Sequence, residues 1–145
     1  MTGYNKGARA ERELLNYLFS VGYSVIRAAG SGVSSLSPPD IIAVKKGKGI
    51  AFECKAWANS SLSIDPEKYE SLKMWRDNSG MDTYMAWRMN GGDWYFIEMS
   101  EMTRTEKNYT VTKKNAIRIG RRIEHLVGAD VAPFSVSKIK INLEA

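Results

Sequence analysis

The spacing of apolar side chains along the chain alternates between helical and strand-like periods. Leu14, Leu15 and Leu18 predict a first helix over about Asn5 to Ser20, closed by Gly22. Counting back three, four and seven residues from these leucines reaches Glu11, so this carboxylate shares the inward stripe, whereas Glu13 points the other way. Tyr23 to Arg27 alternates like a strand, and the Gly-, Ser- and Pro-rich stretch Gly30 to Pro39 reads as a loop. Asp40 to Val44 is apolar after its first residue, as expected of a strand covered on both faces. Lys45-Lys46-Gly47-Lys48-Gly49 then reads as a hairpin turn into a second such strand, Ile50 to Lys55.

A second helix starts with Asp65 as N-cap and Pro66 at its first position, carries Tyr69, Leu72 and Trp75, and stops at Gly80. Two more strands follow, Thr83 to Arg88 and Trp94 to Met99, around the turn Asn90-Gly91-Gly92-Asp93. Thr112 to Val127 reads as a basic helix with Ile117, Ile119, Ile123 and Val127 as its apolar members, and Pro133 precedes a tail ending in Ile139 to Leu143. No repeat or interdomain linker interrupts this order. The pattern predicts an α/β fold, a central mixed sheet flanked by helices, as one domain over residues 1–145. Its motif-bearing core spans about residues 4–100, with a C-terminal helix and tail over about residues 101–145.

Composition changes the picture in two respects. One cysteine, Cys54, and one histidine, His125, cannot build a disulfide framework or a Cys/His zinc site, so any metal here is held by oxygen. With 21 Lys+Arg against 16 Asp+Glu, the net charge is +5, which suits a polyanion such as nucleic acid. The N-terminus lacks the apolar region of a signal peptide, and no stretch approaches the ~20 apolar residues of a membrane span, so a cytoplasmic, nucleoid-associated protein is expected.

The candidate chemistry lies in Pro39-Asp40, twelve residues, then Glu53-Cys54-Lys55. Strand alternation puts Glu53 and Lys55 on one face, and the hairpin brings Asp40 back beside Glu53, with Glu11 approaching from the covering helix. Carboxylates and an ammonium converging in a partly apolar site repel unless compensated, and a divalent cation compensates them. Mg²⁺ accepts a few carboxylates plus water and substrate phosphate, which matches Asp40, Glu53 and Glu11, with the Cys54 carbonyl as a further oxygen. Lys55 is then placed to orient or help deprotonate an attacking water and to offset charge on the phosphorane. A bare Glu-x-Lys is usually a surface ion pair. Pro39, the apolar run Ile50-Ala51-Phe52 and Glu11 on the helix stripe favour the hydrolytic reading.

The sequence resembles the archaeal Holliday-junction resolvases of the PD-(D/E)xK nuclease superfamily. The likeness runs through Tyr4-Asn5-Lys6-Gly7-Ala8-Arg9-Ala10-Glu11-Arg12-Glu13-Leu14, Gly22 to Gly32, Pro39-Asp40-Ile41-Ile42-Ala43, Ile50 to Lys55 and Trp94 to Glu98. It implies a restriction-endonuclease-like nuclease core and a Mg²⁺-dependent crossover junction endodeoxyribonuclease, with Mn²⁺ able to substitute. Such an enzyme would be a homodimer that cuts two strands of a four-way DNA junction symmetrically in recombination and repair. By resemblance, Glu11, Asp40 and Glu53 are metal ligands, Lys55 the catalytic lysine, Ser31 the loop serine near the scissile phosphate, and Arg12 and Arg27 DNA contacts. The chain departs from the family at Ile64-Asp65-Pro66-Glu67, where paired basic residues are common. Two rivals stand beside this reading: a nuclease of the same superfamily acting on linear DNA, and a non-catalytic junction-binding protein.

Three further features bear on function. Arg104, Lys107, Lys113, Lys114, Arg118, Arg121 and Arg122 form either a DNA-tracking surface or a solvated helix face, with Glu106 and Glu124 diluting the charge. The Gly30 to Ser37 loop reads either as an ordinary connection or, from its position immediately before Asp40, as a segment that orders around a junction strand on binding. Trp57, Trp75, Trp87 and Trp94 are expected in the core or a dimer interface rather than as base-stacking platforms.

Overall fold

The computed structural model describes residues 3–28, 37–89 and 91–128, with side chains from residue 7 onward. Helix α1 spans Gly3–Ser20, and Gly22 ends its C-terminal turn at φ +99°. Strands β1 (Ser24–Arg27), β2 (Ile41–Lys45), β3 (Lys48–Trp57), β5 (Asp82–Met89) and β6 (Trp94–Glu98) build a sheet in the order β1-β2-β3-β5-β6. All neighbours are antiparallel except β3 and β5, so the sheet is mixed and the strand with Glu53 and Lys55 is its middle one. Between β3 and β5 the chain forms β4 (Ser61–Ile64) and helix α2 (Pro66–Ser79).

The β2–β3 turn is two residues long, Lys46 and Gly47, both at positive φ (50° and 82°). Mirror-image turns of this kind match the right-handed twist of paired strands, and Gly47 tolerates such a backbone without strain. They fix the register that pairs Ile41 with Phe52 and hence sets Asp40 across from Glu53. For α2, the Asp65 side chain accepts from the Lys68 amide, Pro66 fills the first position, and Gly80 closes the helix in the left-handed conformation, as its sequence predicts.

Strand alternation splits the core into two layers. Ile41, Ala43, Ile50 and Phe52 pack with Ala10, Leu14, Tyr17 and Leu18 of α1, joined by Ile123 from the C-terminal region. On the opposite face Met85, Trp87 and Ile97 pack with Leu72 of α2 and with a second, three-stranded sheet, order β4-β8-β7. That sheet, with β7 at Thr103–Arg104 and β8 at Tyr109–Thr112, contributes Leu62, Ile64 and Val111 to the core. Trp87 and Trp94 are buried in these layers, in line with the expected core role.

Two sequence expectations are corrected. Residues Thr112 to Val127 do not form one helix: Thr112 caps α3 (Lys113–Ile119), Gly120 stops it at φ +65°, and α4 (Glu124–Val127) is a separate turn of helix. A glycine in the left-handed region ends a helix irrespective of the apolar spacing that continues past it. Glu13 is not turned to solvent; its side chain is 12% exposed, ion-paired to Arg88 at 3.1 Å, and accepts from Trp94 Nε1 at 3.3 Å. The sheet continues beside α1 as far as β5 and β6, so the buried arc of this helix is wider than its leucine stripe. The tail after Gly128 lies outside the described residues. Among the described residues no helix is long and apolar enough to cross a membrane.

Candidate active site

Pro39 is buried and Asp40 follows it at the mouth of β2. Here the pairing of β2 with β3 ends, and Asp40 takes over the role of a strand partner: its Oδ2 accepts the Cys54 amide at 2.8 Å. In an extended strand a residue's N–H and C=O leave on the same side, so the Cys54 carbonyl opens toward Asp40 as well. Glu53, one position earlier, stands in the middle of the sheet with 5% exposure, among the few buried polar or charged groups of the described chain.

Burial raises the Glu53 pKa, the nearby Asp40 charge adds to the rise, and Lys68 and Lys55 offset part of it, leaving the carboxyl at about 7. Lys68 Nζ lies 3.3 Å from Oε1 and Lys55 Nζ lies 4.0 Å from Oε2. The Lys68 contact is ionic and misses hydrogen-bond geometry, so Oε1 has no hydrogen-bond partner among the described residues. Lys55 is also 5.7 Å from the centre of the Trp57 ring, which steadies its ammonium on the exposed end of the strand.

Asp40, Glu53 and Lys55 therefore come together on one face of the sheet, the face that α2 covers. Glu11 reaches the neighbourhood from the opposite layer, on α1, and its Oε2 is held by Arg27 at 2.9 Å. The common ground is Cys54: burial pushes its thiol up, and Asp40, Glu11 and Glu53 are each close enough to push it further. Three acidic groups thus surround one residue, but no group of three or more Asp, Glu, His or Cys side chains among the described residues is already arranged as a metal cage. Asp40 and Glu53 are the assembled pair. Arg27 belongs to the edge strand β1, opposite Ile41, and the next amide, Ala28, donates to the Asp40 carbonyl at 2.8 Å. Arg12 is exposed on α1, and Ser31 lies outside the described residues.

The donors fit a hard divalent cation. A buried carboxylate oxygen without a hydrogen-bond partner, a second carboxylate beside it and a main-chain carbonyl are all oxygen ligands, and Mg²⁺ needs only one or two carboxylates from protein. Cys54 supplies no thiolate to such a site, because its side chain packs against the α1 layer, on the opposite face of β3 from Glu53.

Sequence reasoning missed Lys68, whose ammonium also donates to Ser37 Oγ at 2.7 Å and to the Pro38 carbonyl at 3.1 Å. The available signal was a lysine in the first turn of a helix with an evident cap, a location that the helix dipole disfavours for a cation.

Comparison with known proteins gives a consistent result. A family model described as archaeal Holliday junction resolvase (hjc) matches residues 2–131. The crossover junction endodeoxyribonuclease Hjc of Archaeoglobus fulgidus is 32% identical over 124 residues, covering 86% of this chain and 90% of that protein. Its namesake from Methanocaldococcus jannaschii is 36% identical over 112 residues, covering 77% and 79% respectively. The solved structure of A. fulgidus Hjc, a Holliday junction resolvase, superposes with a TM-score of 0.76 at 31% identity, over 84% of this chain and 100% of that one.

Proposed function

The chain belongs to the archaeal Holliday junction resolvase family, and on that premise we propose that it cuts four-way DNA junctions by metal-dependent phosphodiester hydrolysis at Asp40, Glu53 and Lys55. The observation that carries this reading is the buried Glu53 carboxylate, set beside Asp40 by the hairpin register and flanked by Lys55. Asp40 and Glu53 would hold Mg²⁺ or Mn²⁺, with the Cys54 carbonyl as a third oxygen. Glu11 contributes negative charge from α1, where Arg27 fixes it.

When bound, such a cation lowers the pKa of a coordinated water and polarises the phosphoryl group. The residues of the chain do the rest. Asp40 is locked by the Cys54 amide, so one of its oxygens is fixed and the other is free to act as a ligand. Lys55 Nζ, 29% exposed by side chain and anchored near Trp57, orients the attacking water and stabilises charge on the phosphorane oxygens. By resemblance, Arg27, whose guanidinium pairs with Glu11, and Arg12, exposed on α1, are assigned to DNA phosphates, and Ser31 to the scissile phosphate. A two-fold homodimer gives one junction two related cuts, and a closed symmetric pair is the simplest arrangement that does so.

The test is a cleavage assay with Mg²⁺ on a four-way junction and on linear duplex of the same sequence, run with wild type and Asp40→Asn. Symmetric junction cuts made by wild type and not by Asp40→Asn support the proposal. Preference for linear duplex identifies a superfamily nuclease of another substrate class. Tight junction binding by a wild type that cleaves no faster than Asp40→Asn identifies a binding protein.

A further inference from the structure

Lys68 sits at the third position of α2, behind the Asp65 cap. A cation in the first turn of a helix faces the positive end of the dipole, and this one is also withdrawn from water, its side chain 17% exposed. Both costs are met by three oxygens from two other parts of the chain. Ser37 Oγ and the Pro38 carbonyl belong to the segment that leads into Asp40, and Glu53 Oε1 belongs to the central strand. One ammonium thus joins α2, the approach to β2 and the middle of β3. Local unfavourable placement compensated by contacts at a site is a mark of a functional position.

Building on the site proposed above, we infer that Lys68 is a positioning residue that sets the separation of Asp40 and Glu53. One residue, Pro39, separates Pro38 from Asp40, whose side chain grips the Cys54 amide, and Cys54 is the residue next to Glu53. Lys68 closes this circuit from the other side. With its ammonium in place, Ser37 and Pro38 cannot drift from β3, so Asp40 Oδ2 stays on Cys54. Glu53 Oε1 is drawn toward α2 while Oε2 remains on the Lys55 side. The role is separate from that of Lys55, which lies at the exposed end and faces the reacting phosphate.

Amide exchange followed by NMR, together with steady-state cleavage of a junction, tests this in Lys68→Met and Lys68→Arg. Loss of the tie is expected to speed exchange of the Cys54 amide in Lys68→Met by about tenfold, a local opening, while the Ile97 amide in β6 is unchanged. The same substitution is expected to lose about tenfold in kcat with KM for the junction within about twofold, as a change confined to the reacting geometry requires. Lys68→Arg, which keeps a cationic donor, restores both readouts to within about threefold of wild type. Unchanged Cys54 exchange, unchanged kcat, or acceleration shared equally by Ile97 overturns the inference, the last because it marks a general loss of stability. If wild type cleaves no junction, the proposed function fails, and the exchange data still decide whether Lys68 holds Asp40.

Discussion

Asp40 and Cys54 are joined where the strand ladder ends, a side-chain oxygen of the first accepting the main-chain amide of the second at 2.8 Å. The contact predicts that the two roles of Asp40 separate by substitution. Asparagine keeps an acceptor for the amide and loses the charge that a metal ion requires. Asp40→Asn is therefore expected to lower junction cleavage by ~10²-fold or more, with stability within about 1 kcal/mol of wild type. Asp40→Ala strands the Cys54 N–H and is expected to fall about 1–2 kcal/mol below Asp40→Asn in urea unfolding. Equal stability of the two substituted proteins would show that the bond contributes nothing to the fold.

Glu53 gives the metal-free protein a pH dependence of defined sign. Its carboxyl is raised from 4.5 in the unfolded chain to about 7 in the fold, by burial first and by Asp40 second. Between those values the native state binds a proton that the unfolded state has lost, so this group makes stability fall as pH rises from about 4.5 to about 7, and adds nothing further above that. In a chelating buffer, Glu53→Gln is expected to be more stable than wild type by up to about 3 kcal/mol at pH 8 and by much less at pH 4.5. Unfolding free energies of both proteins across that range check it; a difference that does not vary with pH rules it out.

The Glu13–Arg88 pair, with side chains 12% and 13% exposed, ties α1 to β5 from inside the fold. Arg88 Nε has no hydrogen-bond partner among the described residues, so removing Glu13 leaves a poorly solvated guanidinium. Glu13→Gln and Arg88→Met are each expected to cost on the order of 3 kcal/mol, and the double substitution less than the sum. A double-mutant cycle measures this, and additivity to within about 0.5 kcal/mol would mean that the pair is not coupled.

The basic C-terminal residues divide into two groups. Arg121 forms two bonds to Glu101, at 2.6 and 3.0 Å, and Arg122 pairs with Asp93 at 3.2 Å, so these hold the chain against β6. Arg104, Lys107, Lys113, Lys114 and Arg118 are exposed and make no ion pair among the described residues. If these side chains track DNA, replacing Lys113, Lys114 and Arg118 with glutamine should flatten the plot of log affinity for a junction against log salt by up to about 2.7 in slope, about 0.9 per lost phosphate contact. An unchanged slope assigns them to a solvated face.

How much of this is legible in sequence depends on whether a feature is local. Asp65, Pro66 and Gly80 bound α2 by chemistry contained within the helix, and the structure places them as caps. Asp40, Glu53 and Lys55 can be aligned because one two-residue turn sets their register. Glu13 escapes such reasoning because its partners, Arg88 and Trp94, lie more than seventy positions away and α1 periodicity carries no trace of them. The second sheet is hidden for the same reason: Leu62 pairs with Val111 across the chain. The helix stripe assigns Glu11 to the correct layer, but it cannot say that the sheet stands between Glu11 and Glu53, nor that Arg27 takes up its carboxylate.

The hairpin of β2 and β3 also sets an order of events during folding. Asp40 and Glu53 are thirteen positions apart in the chain and meet through a turn of the kind that closes in about 1–10 μs, whereas β3 pairs with β5 only after β4 and α2 have been laid down between them. Chain separation therefore predicts that the two like charges meet early and that the ammonium of Lys68 arrives later, with α2. Until it does, the hairpin must hold its own repulsion, so mildly acidic medium or a divalent ion in the refolding buffer should speed the first stage of folding more than the last.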